Sequence, residues 1–285
     1  MGINVLSLFD GMSCGQIALE RANIDVDKYF ASEIDKHAIK VTQHNYPNTI
    51  QVGDVTALDV SLLPSIDLLI GGSPCQSIST LGNGSGLDGK SGLFFEWLRI
   101  KNETIPKYFL LENVVGSKKA LETITNLVGV EPVLFNSNLV SGQNRARYYW
   151  TNISFELPVD KGVLLKDILD QDVQETSKLS HARLRWLLSE SGQQCVSKRY
   201  AALDPVKANC LTARSDASWN CNYVTRGGEI TKLSPEEYEK LQTVPIGYTS
   251  CVKTSERYKM LGNGFTVEVI AHILKHANFT QRTRT

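Results

Sequence analysis

The runs INVLSLF (residues 3–9), GQIALERA (15–22), KYFASE (28–33), KHAIKVTQHN (36–45), TIQVGDV (49–55) and DLLIGG (67–72) decide the fold. Short stretches rich in β-branched and aromatic residues alternate with amphipathic stretches of helical period. That is the rhythm of βαβ units, whose parallel strands carry helices on both faces. Further along, FFEWLRI (94–100) reads as helix, YFLLENV (108–114) as strand and LETITNLV (121–128) as helix. VLFNSN (133–138) and RYYWTNI (147–153) then read as strands too close together for a crossover helix, so an antiparallel edge is expected there.

From about Thr151 the rhythm breaks into irregular polar sequence, with KLSHARLRWLLSE (178–190) as its only clearly helical stretch, and it recovers near KLSPEEYEKLQ (232–242). The expected organisation is a first domain over 1–157, an inserted smaller domain over 158–250, and a segment over 251–285 that returns to the first. The return ends in EVIAHILKHA (268–277), an amphipathic helix too short to be stable without packing. The expected class is α/β, a mostly parallel Rossmann-like sheet with one antiparallel strand.

A chain of 285 residues can bury a core of that size. With 30 basic and 30 acidic residues the overall charge cancels, so any attraction to a polyanion must be local. No apolar run approaches bilayer length, and the start MGINVLSLFDGM lacks the basic head and cleavage site of a signal peptide, so a cytoplasmic protein without membrane attachment is expected. Cysteines at 14, 75, 195, 210, 221 and 251 form no CxxC pair, which fits neither a disulfide framework nor a zinc knuckle; free thiols and no metal are expected.

After the first strand comes Phe9-Asp10-Gly11-Met12-Ser13-Cys14-Gly15, a glycine-bearing turn that opens a helix. Backbone N–H groups at such a turn can hold an anion such as a carboxylate. The spacing is not GxGxxG, which points away from a dinucleotide; a plain βα turn would read the same way. Glu33 closes the second strand, and Asp54, followed by Val55, closes the third. One acidic strand end can simply cap a helix, but two beside a glycine turn suggest an adenosyl cofactor. The fourth strand ends in Gly71-Gly72-Ser73-Pro74-Cys75-Gln76, which puts a thiol at the carboxyl edge of the sheet, where open α/β sheets bind ligands. Alone, a cysteine at this place is more often structural, although the rigid Pro74 and the polar, glycine-rich sequence that follows favour a nucleophile. The fifth strand ends in Glu112-Asn113-Val114, which brings a carboxyl group to the same edge. In Gln143-Asn144-Arg145-Ala146-Arg147 the alternate arginines of an extended segment share a face that can bind phosphate or a polarised carbonyl, unless they are merely an exposed basic edge.

Taken in this order, these motifs resemble the cytosine-5 DNA methyltransferase family of bacterial or phage type, from Val5 to Leu274 apart from the variable middle. FDGMSCG is similar to that family's cofactor loop, PCQ to its nucleophile motif, ENV to its acid motif and QNRAR to its arginine motif. LSPEEYEKLQ (233–242) is similar to the helix that supports the recognition domain, and RYKMLGNGFTVEV (257–269) to the closing cofactor motif. The resemblance implies S-adenosyl-L-methionine as cofactor, S-adenosyl-L-homocysteine as product and target recognition in residues 158–250. It implies that Phe9 and Ile34 pack on the adenine, Glu33 holds the ribose, Asp54 meets the adenine amino group and Asn263 contacts the methionine end, with Asp10, Gly11, Gly15, Val55 and Phe265 completing the set. Two positions depart from the pattern. Ser73 stands where the family more often has proline or phenylalanine, and the cofactor loop lacks the commoner Gly-Gly pair.

The reaction implied is addition of the Cys75 thiolate to carbon 6 of cytosine, with Glu112 stabilising the ring nitrogen 3 side and Arg147, with Arg145, holding the carbonyl oxygen. The base must first be flipped out of the helix, at a cost of roughly a few kcal/mol. The segment from Ser77 to Gly92, with glycines at 82, 84, 86, 89 and 92, is expected to be a mobile loop closing over that base, and Gln76 and Ser79 are expected to touch DNA. Residues 176–228 carry 8 Lys or Arg against 3 Asp or Glu, interleaved with Trp186, Tyr200, Trp219 and Tyr223. Lys178, Arg183, Arg185, Lys198 and Arg199 are the expected phosphate contacts on double-stranded DNA. The resemblance further suggests a monomer in a bacterial or phage-infected cell, with a cognate restriction endonuclease as an optional companion. Three rivals stand beside it: transfer RNA as substrate, which one branch of the family methylates; a non-catalytic DNA-binding paralogue, against which Cys75, Glu112 and Arg147 all speak; and a nucleotide-dependent oxidoreductase, which leaves PCQ, ENV and QNRAR unexplained.

Overall fold

A computed structural model describes residues 2–73, 92–114, 117–215 and 217–279. The chain forms two compact units: Met1–Phe135, Ala146–Leu157 and Val269–Thr285 make up the first, Asn136–Arg145 and Pro158–Glu268 the second.

The first unit is built on seven strands, β1 (Ile3–Leu8), β2 (Val26–Ser32), β3 (Ile50–Gln51), β4 (Leu68–Gly71), β5 (Tyr108–Val114), β6 (Val133–Asn136) and β7 (Ala146–Thr151). They lie in the order β3-β2-β1-β4-β5-β7-β6. The pairs β1–β2, β1–β4, β2–β3 and β4–β5 are parallel, and β5–β7 is antiparallel. The antiparallel pairing thus falls at the end of the sheet formed by the two last strands, as their spacing implies, with β7 between β5 and β6. Helices α1 (Cys14–Arg21), α2 (Lys36–Asn45), α3 (Gly92–Thr104) and α4 (Lys118–Val128) supply the crossovers. Successive strands step outward from β1 through β2 to β3, then from β4 through β5 in the other direction. That reversal opens a crevice at the carboxyl ends of β1 and β4.

Local chemistry sets the ends of these elements. Asp35 caps α2 by accepting from the backbone of His37 at 2.9 Å. The strand expected over TIQVGDV pairs only at Ile50–Gln51, because Gly53 turns at φ +77° and Asp54 caps a short 3-10 turn over Val55–Ala57. Between β4 and α3, Trp97 lies fully buried against Gly71, where a Cβ would come within 2.7 Å of the indole. Only glycine lets the helix sit this close to the end of β4. Trp97 joins Phe94, Ile100, Leu69, Phe109, Leu111 and Trp150 in one buried cluster, each side chain contributing about 1.5–3 kcal/mol by leaving water.

The second unit holds α5 (His181–Leu188), α6 (Glu190–Ser197), α7 (Pro235–Leu241) and α8 (Thr254–Asn263), with a three-stranded sheet of β8 (Ala202–Leu203), β9 (Asn222–Arg226) and β10 (Glu229–Lys232). Helix α9 (Val267–Leu274) then leads into the residues of the first unit. The single helical stretch expected over 178–190 is thus two helices, divided at Ser189, which ends α5 and accepts from Gly192 N to cap α6. The sheet was not expected at all. Its hairpin turns through Gly227 and Gly228 at φ +58° and +82°, a two-glycine connection of the kind that favours tight hairpins. Leu187, Ala201, Cys221 and Tyr223 form the core of this region. Helix α7 starts as its sequence dictates: Pro235 opens it, and Ser234 and Glu237 exchange side-chain-to-backbone bonds of 3.1 and 2.7 Å in a capping box. Glu237 is fully buried and also grips Arg226 at 2.5 and 3.0 Å, so the hairpin is tied to this helix. No helix among the described residues is long and apolar enough to cross a membrane.

Candidate active site

In the first unit the loop after β1 takes an unusual backbone course, with positive φ at Phe9 (56°), Gly11 (59°) and Ser13 (61°). Alternating φ signs fold successive peptide groups into a concave turn, the shape that receives anionic groups. Glu33, at the carboxyl end of β2, braces this turn. One carboxylate oxygen accepts from the N–H groups of Ile34 (2.7 Å) and Asp35 (2.8 Å), and the other reaches across to Gly11 N–H (2.8 Å). A carboxylate offers about four acceptor sites, so roughly one is left for a hydroxyl. The Gly11 amide, by contrast, is spent on Glu33 and is not offered to an anion.

Asp10, expected among the cofactor-binding side chains, faces inward instead. It is 7% exposed, accepts from the Tyr29 hydroxyl at 2.7 Å and from the Ser13 hydroxyl, and Thr42 continues the network to Ser13 at 3.2 Å. Burial pushes its carboxyl up to about 6, and the nearby Glu33 charge adds to the rise, against the hydrogen bonds from Ser13, Ser7 and Tyr29. Its side chain therefore shapes the loop from beneath. The same Tyr29 hydroxyl lies 2.7 Å from where a Cβ on Gly15 would sit, which explains the glycine in the first turn of α1. Around this loop Ile34 is 74% exposed, Asp54 is exposed with Thr56 N–H at 2.9 Å, and Phe9 is half-buried. Val55 is buried in the core, so its side chain is not a ligand surface.

The edge expected to carry the reacting groups is the one at the ends of β4 and β5. Glu112 and Arg147 form an ion pair, Oε1 to Nε 2.9 Å, with side chains only 12% and 13% exposed. The antiparallel register explains it. Val114 pairs with Arg147 and Glu112 with Tyr149, so Glu112 and Arg147 are diagonal neighbours on one face of the sheet. One residue along, Asn113 turns to the other side and donates to Ser73. Cys75, Gln76 and Ser79, and the loop expected over Ser77 to Gly92 save for Gly92 itself, lie outside the described residues.

Arg145 does not join Arg147. It belongs to the second unit, 4% exposed, and its guanidinium donates to the carbonyls of Leu211 (2.8 Å), Gly262 (3.2 Å) and Gly264 (3.0 Å). The two arginines share a face only if the strand runs through both, and β7 begins at Ala146. Around Arg145, Gln143 donates to Leu241 O and Gln242 Oε1, both at 2.8 Å, and Gln242 in turn donates to Leu261 O (2.6 Å) and Gly264 O (3.0 Å). This buried lattice holds the backbone on either side of Asn263, which is exposed at the end of α8, while Phe265 is half-buried.

Among the expected phosphate contacts, Arg185, Lys198 and Arg199 are exposed, and Lys178 is half-exposed with Glu175 at 2.7 Å. Arg183 is not available. It is 8% exposed and donates to Tyr223 Oη (2.9 Å), Ser218 O (2.7 Å) and Cys221 Sγ (3.0 Å) inside the unit. Tyr223 is fully buried as well, while Trp219 is 40% and Tyr200 65% exposed. Burial pushes the Cys221 thiol up, in keeping with an unreactive neutral group. The residues that pattern reading missed are Tyr29 and Asn113, each carrying a buried bond to a residue far away in sequence.

A sheet in this order, mostly parallel with an antiparallel β5–β7 pair and with its acidic and glycine-bearing loops at the carboxyl edge, is the fold of S-adenosylmethionine-dependent methyltransferases. The family model "C-5 cytosine-specific DNA methylase" matches residues 3–204 and 190–278. The chain belongs to that family and is a DNA methyltransferase acting at carbon 5 of cytosine. It is 29% identical to the type II methyltransferase M1.ScrFI of Lactococcus lactis subsp. cremoris, over 93% of this chain and 75% of that protein. It is likewise 29% identical to the type II methyltransferase M.NlaX of Neisseria lactamica, over 94% of each. Among solved structures, a Spodoptera frugiperda DNMT2 mutant superimposes with a TM-score of 0.78 at 20% identity, covering 96% of this chain and 99% of that one, which speaks for the fold.

Proposed function

We propose that Cys75 is the nucleophile and Glu112 the acid of this reaction, with Arg147 holding Glu112 and the substrate carbonyl. The observation that carries this is the Glu112–Arg147 pair, nearly dehydrated at the carboxyl end of β5, beside the strand whose sequence continues into Pro74-Cys75. The Cys75 thiolate adds to carbon 6 of an extruded cytosine, and the carbon 5–carbon 6 double bond shifts into the ring as negative charge toward nitrogen 3. Glu112 supplies the hydrogen bond or proton there, and Arg147, fixed by its bond to Glu112, places positive charge by the carbonyl oxygen. Carbon 5 then takes the methyl group. Loss of the carbon 5 proton to a base restores the double bond and expels Cys75 as thiolate.

The residues at the ends of β1, β2 and β3 fit an adenosyl group: Ile34 offers an uncovered aliphatic surface to a flat ring, Glu33 keeps acceptor capacity for a ribose hydroxyl, and Asp54 is exposed beside it. S-adenosyl-L-methionine bound there supplies an electrophilic methyl group on its sulfonium. Asn263 keeps its assignment to the methionine end, and Phe265 its place in the cofactor set, on the strength of the family motif. In the second unit, exposed Arg185, Lys198 and Arg199, with Lys178, hold backbone phosphates of double-stranded DNA, and exposed Tyr200 directly follows Arg199. The methyltransferase is read as a monomer with a cognate restriction endonuclease as an optional companion; likeness to two type II methyltransferases favours that companion.

The test is covalent trapping. Wild-type protein with S-adenosylmethionine and duplex DNA carrying 5-fluorocytosine at the target should give a denaturant-stable complex, because the fluorine blocks the last elimination. Cys75→Ser should give none while still binding DNA. A stable complex with the serine variant, or none with the wild type on DNA it methylates, would refute the assignment.

A further inference from the structure

Strand β4 runs in register with β5 at a constant offset, Leu68 opposite Tyr108 through Gly71 opposite Leu111. Continuing that offset two residues past the ladder sets Ser73 level with Asn113, and the side chains meet there. Asn113, 2% exposed, donates through Nδ2 to the Ser73 carbonyl at 3.2 Å and to the Ser73 hydroxyl at 3.1 Å. Its Oδ1 accepts from Val114 N–H at 2.7 Å, so the amide has one orientation that satisfies both of its ends. Ser73 itself is 4% exposed, and neither group has solvent as an alternative partner.

We propose that Ser73 and Asn113 are positioning residues that aim the Cys75-bearing segment at the cytosine held by Glu112. The inference rests on Cys75 being the nucleophile. The Ser73 carbonyl belongs to the planar peptide joining Ser73 to Pro74, and proline fixes its own φ, so orienting that carbonyl sets the direction in which the chain leaves toward Cys75. The alternation of side chains along β5 then has a use: Glu112 faces Arg147 on one side, and Asn113 clamps β4 on the other. The acid and the anchor of the nucleophile are adjacent residues of one strand, and their spacing is held by the sheet. The Ser73 hydroxyl gives Asn113 a second acceptor that the proline or phenylalanine more usual at this place could not.

The experiment measures the single-turnover rate of covalent capture on 5-fluorocytosine DNA with saturating S-adenosylmethionine, together with cofactor Kd by calorimetry and Tm, for wild type, Ser73→Ala, Asn113→Ala and the double variant. A reacting group displaced by about 1 Å loses about a hundredfold. Asn113→Ala should therefore capture 10- to 100-fold more slowly and Ser73→Ala about 3-fold more slowly, each with cofactor Kd within twofold of wild type. The double variant should be no slower than Asn113→Ala, because both changes break one contact. Capture by Ser73→Ala or by folded Asn113→Ala at the wild-type rate overturns the proposal, as does a parallel loss of cofactor affinity, which marks general loosening of the fold. Should Asn113→Ala not fold, the Ser73→Ala rate decides by itself. Failure of the wild type to be captured would instead strike at Cys75 as nucleophile, so the two outcomes are distinct.

Discussion

Replacing Asp10 by asparagine should stabilise the protein, and more so as the pH rises. Asp10 is buried beneath the loop after β1 with the Tyr29 hydroxyl at 2.7 Å, and its carboxyl is raised from 3.8 to about 6, chiefly by burial. The folded protein thus holds this proton more tightly than the unfolded chain does. For a carboxyl raised in this way the ionised form opposes folding: the penalty is full above pH 6, shrinks as the pH falls through 6, and vanishes below about 4. At pH 8 it amounts to about 3 kcal/mol, and at pH 5 to roughly half of that. Asparagine removes the charge and keeps one acceptor oxygen, at a cost of about 1 kcal/mol for the second acceptor. The net expectation for Asp10→Asn is a gain of about 2 kcal/mol at pH 8 that shrinks toward zero by pH 5. Urea denaturation of both proteins at pH 5, 6, 7 and 8 reads this from the midpoints. Because the side chain faces inward, cofactor affinity should change less than threefold. A stability difference that is flat across this pH range, or a wild type more stable than the variant at pH 8, would show that the carboxylate is compensated in a way its neighbours do not reveal.

Arg145→Met should destabilise the protein by about 3 kcal/mol or more, because the buried carbonyls of Leu211, Gly262 and Gly264 lose their donor together; a variant with wild-type Tm but abolished turnover would restore Arg145 to the catalytic set. Glu112→Gln should lower kcat about a hundredfold with cofactor Kd unchanged, whereas Asp54→Ala should raise cofactor Kd about tenfold and leave kcat nearly intact. Calorimetry with S-adenosylmethionine beside steady-state kinetics separates the two, and equal cofactor binding by Asp54→Ala and wild type would remove Asp54 from the adenosine site.

Local sequence was enough for much of this protein. The β1-to-β5 alternation, the placement of FDGMSCG, Glu33 and Ser73 just past strand ends and of Glu112 near the end of β5, and the Ser234–Glu237 capping box all follow from periodicity and turn chemistry acting over a few residues. Motif order was enough for the family, because six short patterns in register are jointly specific even where each is weak. Tertiary structure alone decided which side chains face the chemistry. Arg145 and Arg147 look equivalent as alternate residues, yet the first lies before β7 and feeds buried carbonyls while the second begins a cross-strand pair with Glu112. Asp10 in the cofactor loop and Arg183 in a basic run look like ligand groups, but Tyr29 and Tyr223 take their polar atoms inside. The reason is the same in each case: a polar atom's availability depends on partners distant in sequence, since a buried donor or acceptor must be satisfied wherever the fold brings one within reach. Composition and spacing carry no record of those partners. They follow from sheet order, from register, and from the packing that brings β7 between β5 and β6.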